Sequence, residues 1–173
     1  MEDKPFMRPV RMPPSIGGAL WLGPMPGRLR PLDRDLAELD AQGVTHVLSL
    51  PPLPEIRQKS PEFAARIDTM DNPAIIRLEI ADFGTPDDFV AFNRKIAEAA
   101  GILRQGGSMF VHCAAGIGRT GTAAMSILLH LGMGENEAER LILEAGSGPE
   151  TEAQKRLVSR IAERIARKRG TDA

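Results

Sequence analysis

Short apolar runs alternate with amphipathic segments along most of the chain. Four of these runs are rich in aliphatic and β-branched residues and are bounded by Gly or Pro, which is typical of buried strands. They cover residues 18–23, 44–50, 74–80 and 108–112. Because strands that alternate with helical patterns usually form a parallel sheet, we predict a single α/β domain with a mainly parallel central sheet flanked by helices.

The segments between these runs carry apolar residues at helical spacing. Asp33 is a candidate N-cap of a first helix, which Gly43 would end. The polar stretch 55–72 predicts one short helix. Thr85 followed by Pro86 predicts the start of a longer helix, because Pro is favoured at the first helical position.

Three further helical patterns follow the last predicted strand. The first is buried and ends at Gly132, and the second covers "ENEAERLILEAG". Thr151 and Gln154 form a capping box for the third. An apolar stripe marks the buried face of that third helix: Leu157, Val158, Ile161 and Ile165.

The two ends of the chain lack such patterns. Residues 1–15 contain four prolines and little periodicity, so we expect a loosely ordered arm there. This stretch also lacks the continuous apolar run of a signal peptide. The folded domain is expected over 16–168, with a frayed basic tail over 169–173.

Composition excludes several classes of protein. The formal net charge of −1 gives no reason to expect nucleic acid as a partner, and no run of about 18 apolar residues predicts a membrane helix. Cys113 is the only cysteine, so an internal disulfide is impossible and a reducing, cytoplasmic location is expected. His46, His112 and His130 are too far apart in sequence to suggest a metal site, and no cofactor is expected.

The segment "VHCAAGIGRTG", residues 111–121, has two incompatible interpretations. Gly116, Gly118 and Gly121 spell the G-x-G-x-x-G pattern of dinucleotide-binding proteins, and they follow a strand and open a helix. That unit requires a second strand after the helix, with an acid at its end, whereas another helical pattern follows here. The chain also lacks the Gly-Lys-Ser/Thr of nucleoside-triphosphate loops. Both nucleotide interpretations are therefore disfavoured.

The second interpretation is a phosphate site with a nucleophile. A loop between a strand end and a helix N-terminus collects backbone N–H groups in a positive potential, which favours a thiolate at Cys113. Arg119 can donate two hydrogen bonds to a phosphoryl group, and Thr120 can donate one to the sulfur. A buried structural cysteine would explain the glycines but not an arginine in so apolar a segment. The residues expected to bind phosphate through their amides are Ala114, Ala115, Gly116, Ile117, Gly118 and Arg119.

"HCAAGIGRTG" resembles the His-Cys-x5-Arg-Ser/Thr signature of the cysteine-based protein tyrosine phosphatase superfamily. "LWLGPMPGR" and "GVTHVLSL" are similar to the first two strands of dual-specificity phosphatases. "IADFGTPDD" is similar to a segment of compact members such as the cyclin-dependent kinase-associated phosphatase. The resemblance covers roughly residues 16–166 and implies a parallel-centred α/β fold, no metal and a phosphocysteine intermediate.

Asp82 is the predicted general acid. It follows the strand 74–80 on a loop outside the phosphate site, and the resemblance places the acid of the family at this position. Asp87 and Asp88 are competitors, but the first turn of the predicted helix explains both of them.

Two further residues have both a structural and a functional interpretation. Gln154 either completes the capping box or, as in some relatives, orients the water that hydrolyses phosphocysteine. His112 resembles the signature histidine that braces the loop, and a buried, hydrogen-bonded structural histidine is the alternative. His46 and His130 are expected to be structural.

The sequence therefore predicts a metal-independent hydrolase, acting as a monomer on a phosphorylated protein or a small phosphoester. Phosphotyrosine, phosphoserine and phosphothreonine are the expected substrates. Hydrolysis of inositol phosphates or phosphoinositides is an alternative, although the neutral Ala114, Ala115 and Ile117 replace the lysines of lipid-phosphatase relatives. A non-catalytic phosphate-binding module and a rhodanese-like sulfurtransferase are the other classes that remain.

Overall fold

The computed structural model describes residues 5–171, within which five strands form one sheet in the order β1-β2-β5-β3-β4. The strands are β1 (Arg8–Val10), β2 (Ala19–Gly23), β3 (His46–Ser49), β4 (Ala74–Arg77) and β5 (Ser108–His112). β1 is antiparallel to β2, and every other pair is parallel. The predicted α/β domain with a mainly parallel sheet is thereby confirmed.

Seven helices flank the sheet in the described part of the chain. They are α1 (Leu32–Ala41), α2 (Leu53–Lys59), α3 (Pro61–Arg66), α4 (Phe89–Arg104), α5 (Gly118–His130), α6 (Glu135–Glu144) and α7 (Glu152–Thr171). None of these helices, over residues 5–171, combines the length and apolar composition needed to cross a membrane.

The central strand β5 is buried along its whole length. Met109 and Val111 pack into a large core that includes residues of α4 to α7, whereas Phe110 packs on the other face with Leu39 of α1. Burial on both faces explains why this strand is a continuous apolar run rather than an alternating one.

Three helix predictions were wrong in detail. α4 begins at Phe89, because the side chain of Asp88, and not that of Thr85, accepts the capping hydrogen bond from the Ala91 N–H. α1 begins at Leu32, so Asp33 lies in its first turn. The polar stretch after β3 contains two short helices, α2 and α3, where one was predicted.

Both predicted ends of the domain also differ from the structure. Arg8–Val10 is an edge strand and not a loosely ordered arm, and Phe6, Met7 and Val10 are buried. The predicted tail over 169–173 is helical as far as Thr171. Residues 1–4 and 172–173 lie outside the described part of the chain.

The topology determines where a site can form. β3, β4 and β5 are parallel neighbours, so their carboxyl ends lie at one edge of the sheet. In open α/β sheets ligands bind at this edge. Cys113 follows β5, Asp82 lies five residues after β4, and α2 follows β3.

Candidate active site

Residues 113–119 comprise the loop after β5 and the first two residues of α5, and they are called the phosphate loop below. Several of its carbonyl oxygens accept hydrogen bonds from surrounding segments. The Ala114 carbonyl accepts from Met25 N and Arg28 Nη1, the Gly116 carbonyl accepts from Arg8 and Ser147, and the Ile117 carbonyl accepts from Gly148 N. Because the C=O and N–H of a trans peptide point in opposite directions, these bonds turn the next N–H groups to the other side of the loop. On that side, Ala115, Ile117 and Gly118 line a cavity.

Two glycines allow this loop to curl tightly. Gly116 has a φ of +76°, which disfavours other residues, and a Cβ there would clash with the backbone of Gly23. A Cβ at Gly121 would clash with the backbone of Gly148. The glycines therefore allow close backbone packing around the cavity that Cys113 lines.

The sulfur of Cys113 is buried and accepts two hydrogen bonds. The Thr120 hydroxyl donates at 3.1 Å and the Gly116 N–H at 3.3 Å, and the residue is 3% exposed. The predicted contact between Thr120 and the sulfur is present. Both donors stabilise negative charge on the sulfur, and the thiolate is the nucleophilic form of cysteine.

Arg119 is fixed by a carboxylate that the sequence did not predict. Glu55, near the start of α2, accepts from Arg119 Nη1 at 2.9 Å and from Nη2 at 2.8 Å. Nη1 also donates to the Ile80 carbonyl at 2.9 Å. This fork holds the guanidinium plane in place, because a bidentate Arg–carboxylate pair defines direction as well as distance.

The charges around Arg119 reinforce one another. Burial lowers the pKa of Arg119, but its hydrogen bonds to Glu55 and the charges of Cys113 and Asp82 raise it above its ordinary value. Hydrogen bonding to Arg119 is the largest influence on Glu55 and lowers the pKa of that carboxyl, in spite of partial burial. Both side chains therefore stay charged near neutral pH.

Replacing Glu55 by Gln is expected to lower kcat/KM by about 10- to 100-fold, because an amide cannot accept from both Nη groups and Arg119 loses its fixed orientation. Most of the loss should lie in kcat, since Arg119 acts most strongly in the transition state. Steady-state kinetics with an aryl phosphate, alongside circular dichroism at the assay temperature, measures this. Glu62→Gln on α3, an exposed matched change, should leave kcat within about two-fold. An equally active Glu55→Gln enzyme would show that Arg119 does not need this partner.

Asp82 lies at the cavity, as predicted. Its Oδ1 is 3.2 Å from Arg119 Nη2, and its side chain is 52% exposed. Asp82 and Cys113 line the same cavity of about 190 Å³. Neither Asp87 nor Asp88 lines this cavity, and Asp88 is the N-cap of α4.

The backbone beside Asp82 is unusual. Phe83 has a φ of +58°, a conformation that costs a non-glycine residue about 1 kcal/mol or more. Its ring is 60% exposed at the rim of the cavity. The turn is closed by the Gly84 N–H, which donates to Ala81 at 2.8 Å.

Gln154 links this turn to α7 and is completely buried. Its N–H donates to Thr151 Oγ1 at 3.1 Å and its Oε1 accepts from the Thr151 N–H at 3.3 Å, which are the bonds of the predicted capping box. Its Nε2 donates to the Gly84 carbonyl at 3.1 Å. Both polar atoms of the amide thus have protein partners, and the geometry supports the capping role.

His112 is buried beneath the phosphate loop. Its Nδ1 lies 2.9 Å from the Cys113 carbonyl, so this nitrogen carries the proton and donates. Nε2 is buried and has no hydrogen-bond partner among residues 5–171. Burial, followed by the charges of Arg119 and Arg77, lowers the pKa of His112 to about 4. The neutral ring therefore braces the loop at neutral pH.

This lowered pKa predicts a loss of stability in mild acid. Unfolded His112 takes up a proton as the pH falls below about 6.5, whereas the folded protein does so only near pH 4. The free energy of unfolding should thus fall by about 2 kcal/mol between pH 7 and pH 5 from this residue. Urea unfolding of wild type and of His112→Asn at both pH values measures this fall. Subtracting the fall in the variant from the fall in wild type cancels the contribution of His130, which is present in both proteins. Equal pH slopes in the two proteins would contradict a neutral, buried His112.

The remaining histidines lie away from the cavity. His46 Nδ1 contacts Thr45 Oγ1 at 2.8 Å at the start of β3, and His130 Nε2 contacts Asn93 Oδ1 at 2.8 Å at the end of α5. Over residues 5–171, no group of three or more His, Cys, Asp or Glu side chains is placed to hold a metal ion.

A family model described as "Polymorphic toxin system, DSP-PTPase phosphatase" matches residues 23–133, which include the phosphate loop, Asp82 and Glu55. No curated protein matches the sequence.

Solved structures share the fold at low sequence identity. Kinase associated phosphatase (KAP), with its catalytic-site cysteine substituted by serine, has a TM-score of 0.70 at 21% identity over 86% of this chain and 88% of that chain. Human DUSP28 has a TM-score of 0.68 at 19% identity, covering 95% and 97%. The human tyrosine phosphatase-like serine/threonine/tyrosine-interacting protein has 0.65 at 23%, covering 92% and 95%. These likenesses confirm the predicted fold.

Proposed function

Because the chain belongs to the DSP-PTPase phosphatase family, we propose that it removes phosphate from phosphotyrosine, phosphoserine or phosphothreonine in proteins through a phosphocysteine intermediate, without a metal. One observation carries the proposal. The Cys113 sulfur, with its two hydrogen-bond donors, and Arg119, fixed by Glu55, line one cavity together with the carboxylate of Asp82.

In the first step the Cys113 thiolate attacks phosphorus in line with the leaving oxygen. A P–S bond forms as the P–O bond breaks, and Asp82 gives its proton to the departing oxygen. The amides of the phosphate loop and those N–H groups of Arg119 that bond neither Glu55 nor Ile80 bind the three equatorial oxygens, over which negative charge is spread in the transition state.

In the second step Asp82, now a carboxylate, takes a proton from water as the water attacks phosphorus. The P–S bond breaks and inorganic phosphate leaves, so the thiolate is regenerated. The Thr120 hydroxyl, 3.1 Å from the sulfur, stabilises the departing thiolate. The proton that Asp82 gave in the first step is thereby replaced.

Three alternative functions fit the site less well. A non-catalytic phosphate-binding module does not need a carboxylate such as Asp82 beside the sulfur. A sulfurtransferase would leave Asp82 idle, and thiosulfate consumption distinguishes it. An inositide phosphatase is disfavoured by the neutral Ala114, Ala115 and Ile117, although Arg28 and Lys59 line the rim of the cavity.

A panel of substrates tests the proposal. Phosphotyrosine and phosphothreonine peptides, inositol hexakisphosphate and phosphatidylinositol phosphates should be compared in the presence of EDTA. The proposal requires peptide turnover that EDTA leaves unchanged. Turnover of inositides alone, or activity that returns only with added metal, would overturn it. We expect the enzyme to act as a monomer. We also expect it to act in a reducing compartment such as the cytoplasm, since Cys113 has no second cysteine to protect it from oxidation.

A further inference from the structure

We infer that a groove beside the catalytic cavity binds an apolar side chain next to the phosphorylated residue of a protein substrate. The inference rests on the proposed function. It adds a preference for apolar residues beside the phosphorylated residue in the substrate. The groove has a volume of about 600 Å³ and shares Ala115 and Ile117 with the catalytic cavity. One of its walls is therefore the phosphate loop itself, so a molecule bound through a phosphoryl group in the catalytic cavity can also contact the groove.

The groove, called the apolar groove below, is lined mainly by hydrocarbon. Its apolar side chains are Pro5, Phe6, Pro24, Leu29 and Ile117. Leu29 is 69% exposed and Ile117 is 43% exposed, whereas Phe6 is 4% exposed and forms part of the core. The rim of the groove thus offers apolar surface to solvent above a packed base.

Exposed apolar side chains are concentrated around this region. Among the described residues, five large apolar side chains are exposed: Leu29, Phe83, Val90, Ile117 and Leu143. Leu29 and Ile117 line the apolar groove, and Phe83 lines the catalytic cavity. Single exposed apolar residues need no explanation, but a contiguous set beside a site marks a surface that binds another molecule.

The two arginines of the groove are already paired within the protein. Arg8 donates to the carbonyls of Ala145, at 2.6 Å, and Gly116. Arg30 is paired with Asp35 at 2.7 Å and with Glu38 at 2.6 Å, and its guanidinium carbon lies 5.0 Å from the centre of the Phe6 ring. The carboxylates of Asp35 and Glu38 neutralise Arg30, whereas Arg8 keeps its charge, so the preference for an aliphatic side chain rests on the apolar lining of the groove.

Proximity to the phosphate loop favours a peptide over a lipid. In a phosphopeptide the Cα of the next residue lies about 3.8 Å from the Cα of the phosphorylated one, so a neighbouring side chain lies near the mouth of the cavity when the phosphoryl group is bound. In a phosphoinositide the acyl chains are separated from the ring phosphates by the inositol ring and glycerol. The neutral side chains of Ala114, Ala115 and Ile117 also provide no cations for a second ring phosphate.

A matched series of phosphopeptides tests the apolar groove. The residue on each side of the phosphorylated residue is changed in turn to Leu, Gln or Asp, and kcat/KM is measured for wild type, Leu29→Ser and Leu143→Ser. Wild type should prefer Leu over Gln by about 10-fold at one of these positions. Leu29→Ser should reduce the preference to about two-fold and leave hydrolysis of a small aryl phosphate unchanged. Leu143 is an exposed leucine of α6 that lines neither the groove nor the catalytic cavity, and Leu143→Ser should behave like wild type.

The possible failures are distinguishable. Equal rates on the Leu, Gln and Asp peptides, or a preference that survives Leu29→Ser, would overturn the apolar groove and leave the proposed function intact. Hydrolysis of the aryl phosphate without hydrolysis of any peptide would overturn the proposed function itself. Faster hydrolysis of dioleoyl phosphatidylinositol phosphate vesicles than of the matching soluble headgroup, lost in Leu29→Ser, would assign the groove to an acyl chain and overturn the peptide inference.

Discussion

Replacing Cys113 by Ser is expected to reduce kcat by on the order of 10⁴-fold or more, leaving no turnover above the background of the assay. A serine hydroxyl in the same place keeps the shape of the loop, but it is a far weaker nucleophile without a base to deprotonate it. The Thr120 hydroxyl and the Gly116 N–H donate toward the sulfur and cannot accept such a proton from Ser at the same time. Hydrolysis of an aryl phosphate by the two proteins, at equal concentration, measures the loss.

The same variant should still bind phosphate, because the amides and Arg119 remain in place. Calorimetric titration with inorganic phosphate should give a Kd within about three-fold of wild type. A variant that binds phosphate normally but turns over at more than a few per cent of the wild-type rate would show that Cys113 is not the nucleophile.

Asp82→Asn is expected to lower kcat by about 10²- to 10³-fold for substrates with poor leaving groups. Asn keeps the size of the side chain and can still accept from the Phe83 N–H, which bonds Asp82 Oδ1 at 3.1 Å, but it has no proton to give. A good leaving group departs without protonation, so the loss should be much smaller for dinitrophenyl phosphate than for phenyl phosphate. The logarithm of kcat for a series of aryl phosphates is plotted against the pKa of the phenol. The line should fall more steeply for Asp82→Asn than for wild type.

Asp87→Asn is the matched control for this experiment. Asp87 lies in the same connection between β4 and α4 but does not line the cavity. We expect rates within about two-fold of wild type and an unchanged slope. If Asp87→Asn steepened the slope and Asp82→Asn did not, the assignment of the general acid would have to move to Asp87.

The site residues that lie within one segment of the chain could be predicted from the sequence. Cys113, Arg119 and Thr120 lie in a single strand–loop–helix unit, in which local spacing determines the geometry. Asp82 was predictable because it follows a strand that ends at the same edge of the sheet. These residues need only a correct order of elements to come together.

Glu55 was not predictable in this way. It lies 64 residues from Arg119 along the chain, in a helix assigned as a polar stretch, and its partner becomes apparent only when β3 and β5 are placed side by side. The only signal in the sequence is an acid shortly after a strand that ends at the site. Arg8 was missed for a related reason, since its backbone was expected to be loosely ordered.

The prediction of a loosely ordered N-terminal arm was wrong because prolines and weak periodicity do not exclude an edge strand. An edge strand tolerates Pro, since one side of its backbone has no neighbour, and Pro9 lies opposite Trp21 in the pairing of β1 with β2. The predicted start of α4 at Thr85 was wrong because of a contact with a distant part of the chain. Gln154 holds the Gly84 carbonyl beside the site, so the chain remains a loop there and the helix is capped by Asp88 instead.

Trapping the covalent intermediate tests the mechanism most directly. Wild-type protein is mixed with an aryl phosphate, quenched in acid within milliseconds, digested and examined by mass spectrometry. We predict a phosphate bound through sulfur to Cys113, absent in Cys113→Ser and present in a larger fraction of the protein when the substrate has a good leaving group. Phosphate on any other residue, or a burst of product with Cys113 unmodified, would contradict the mechanism.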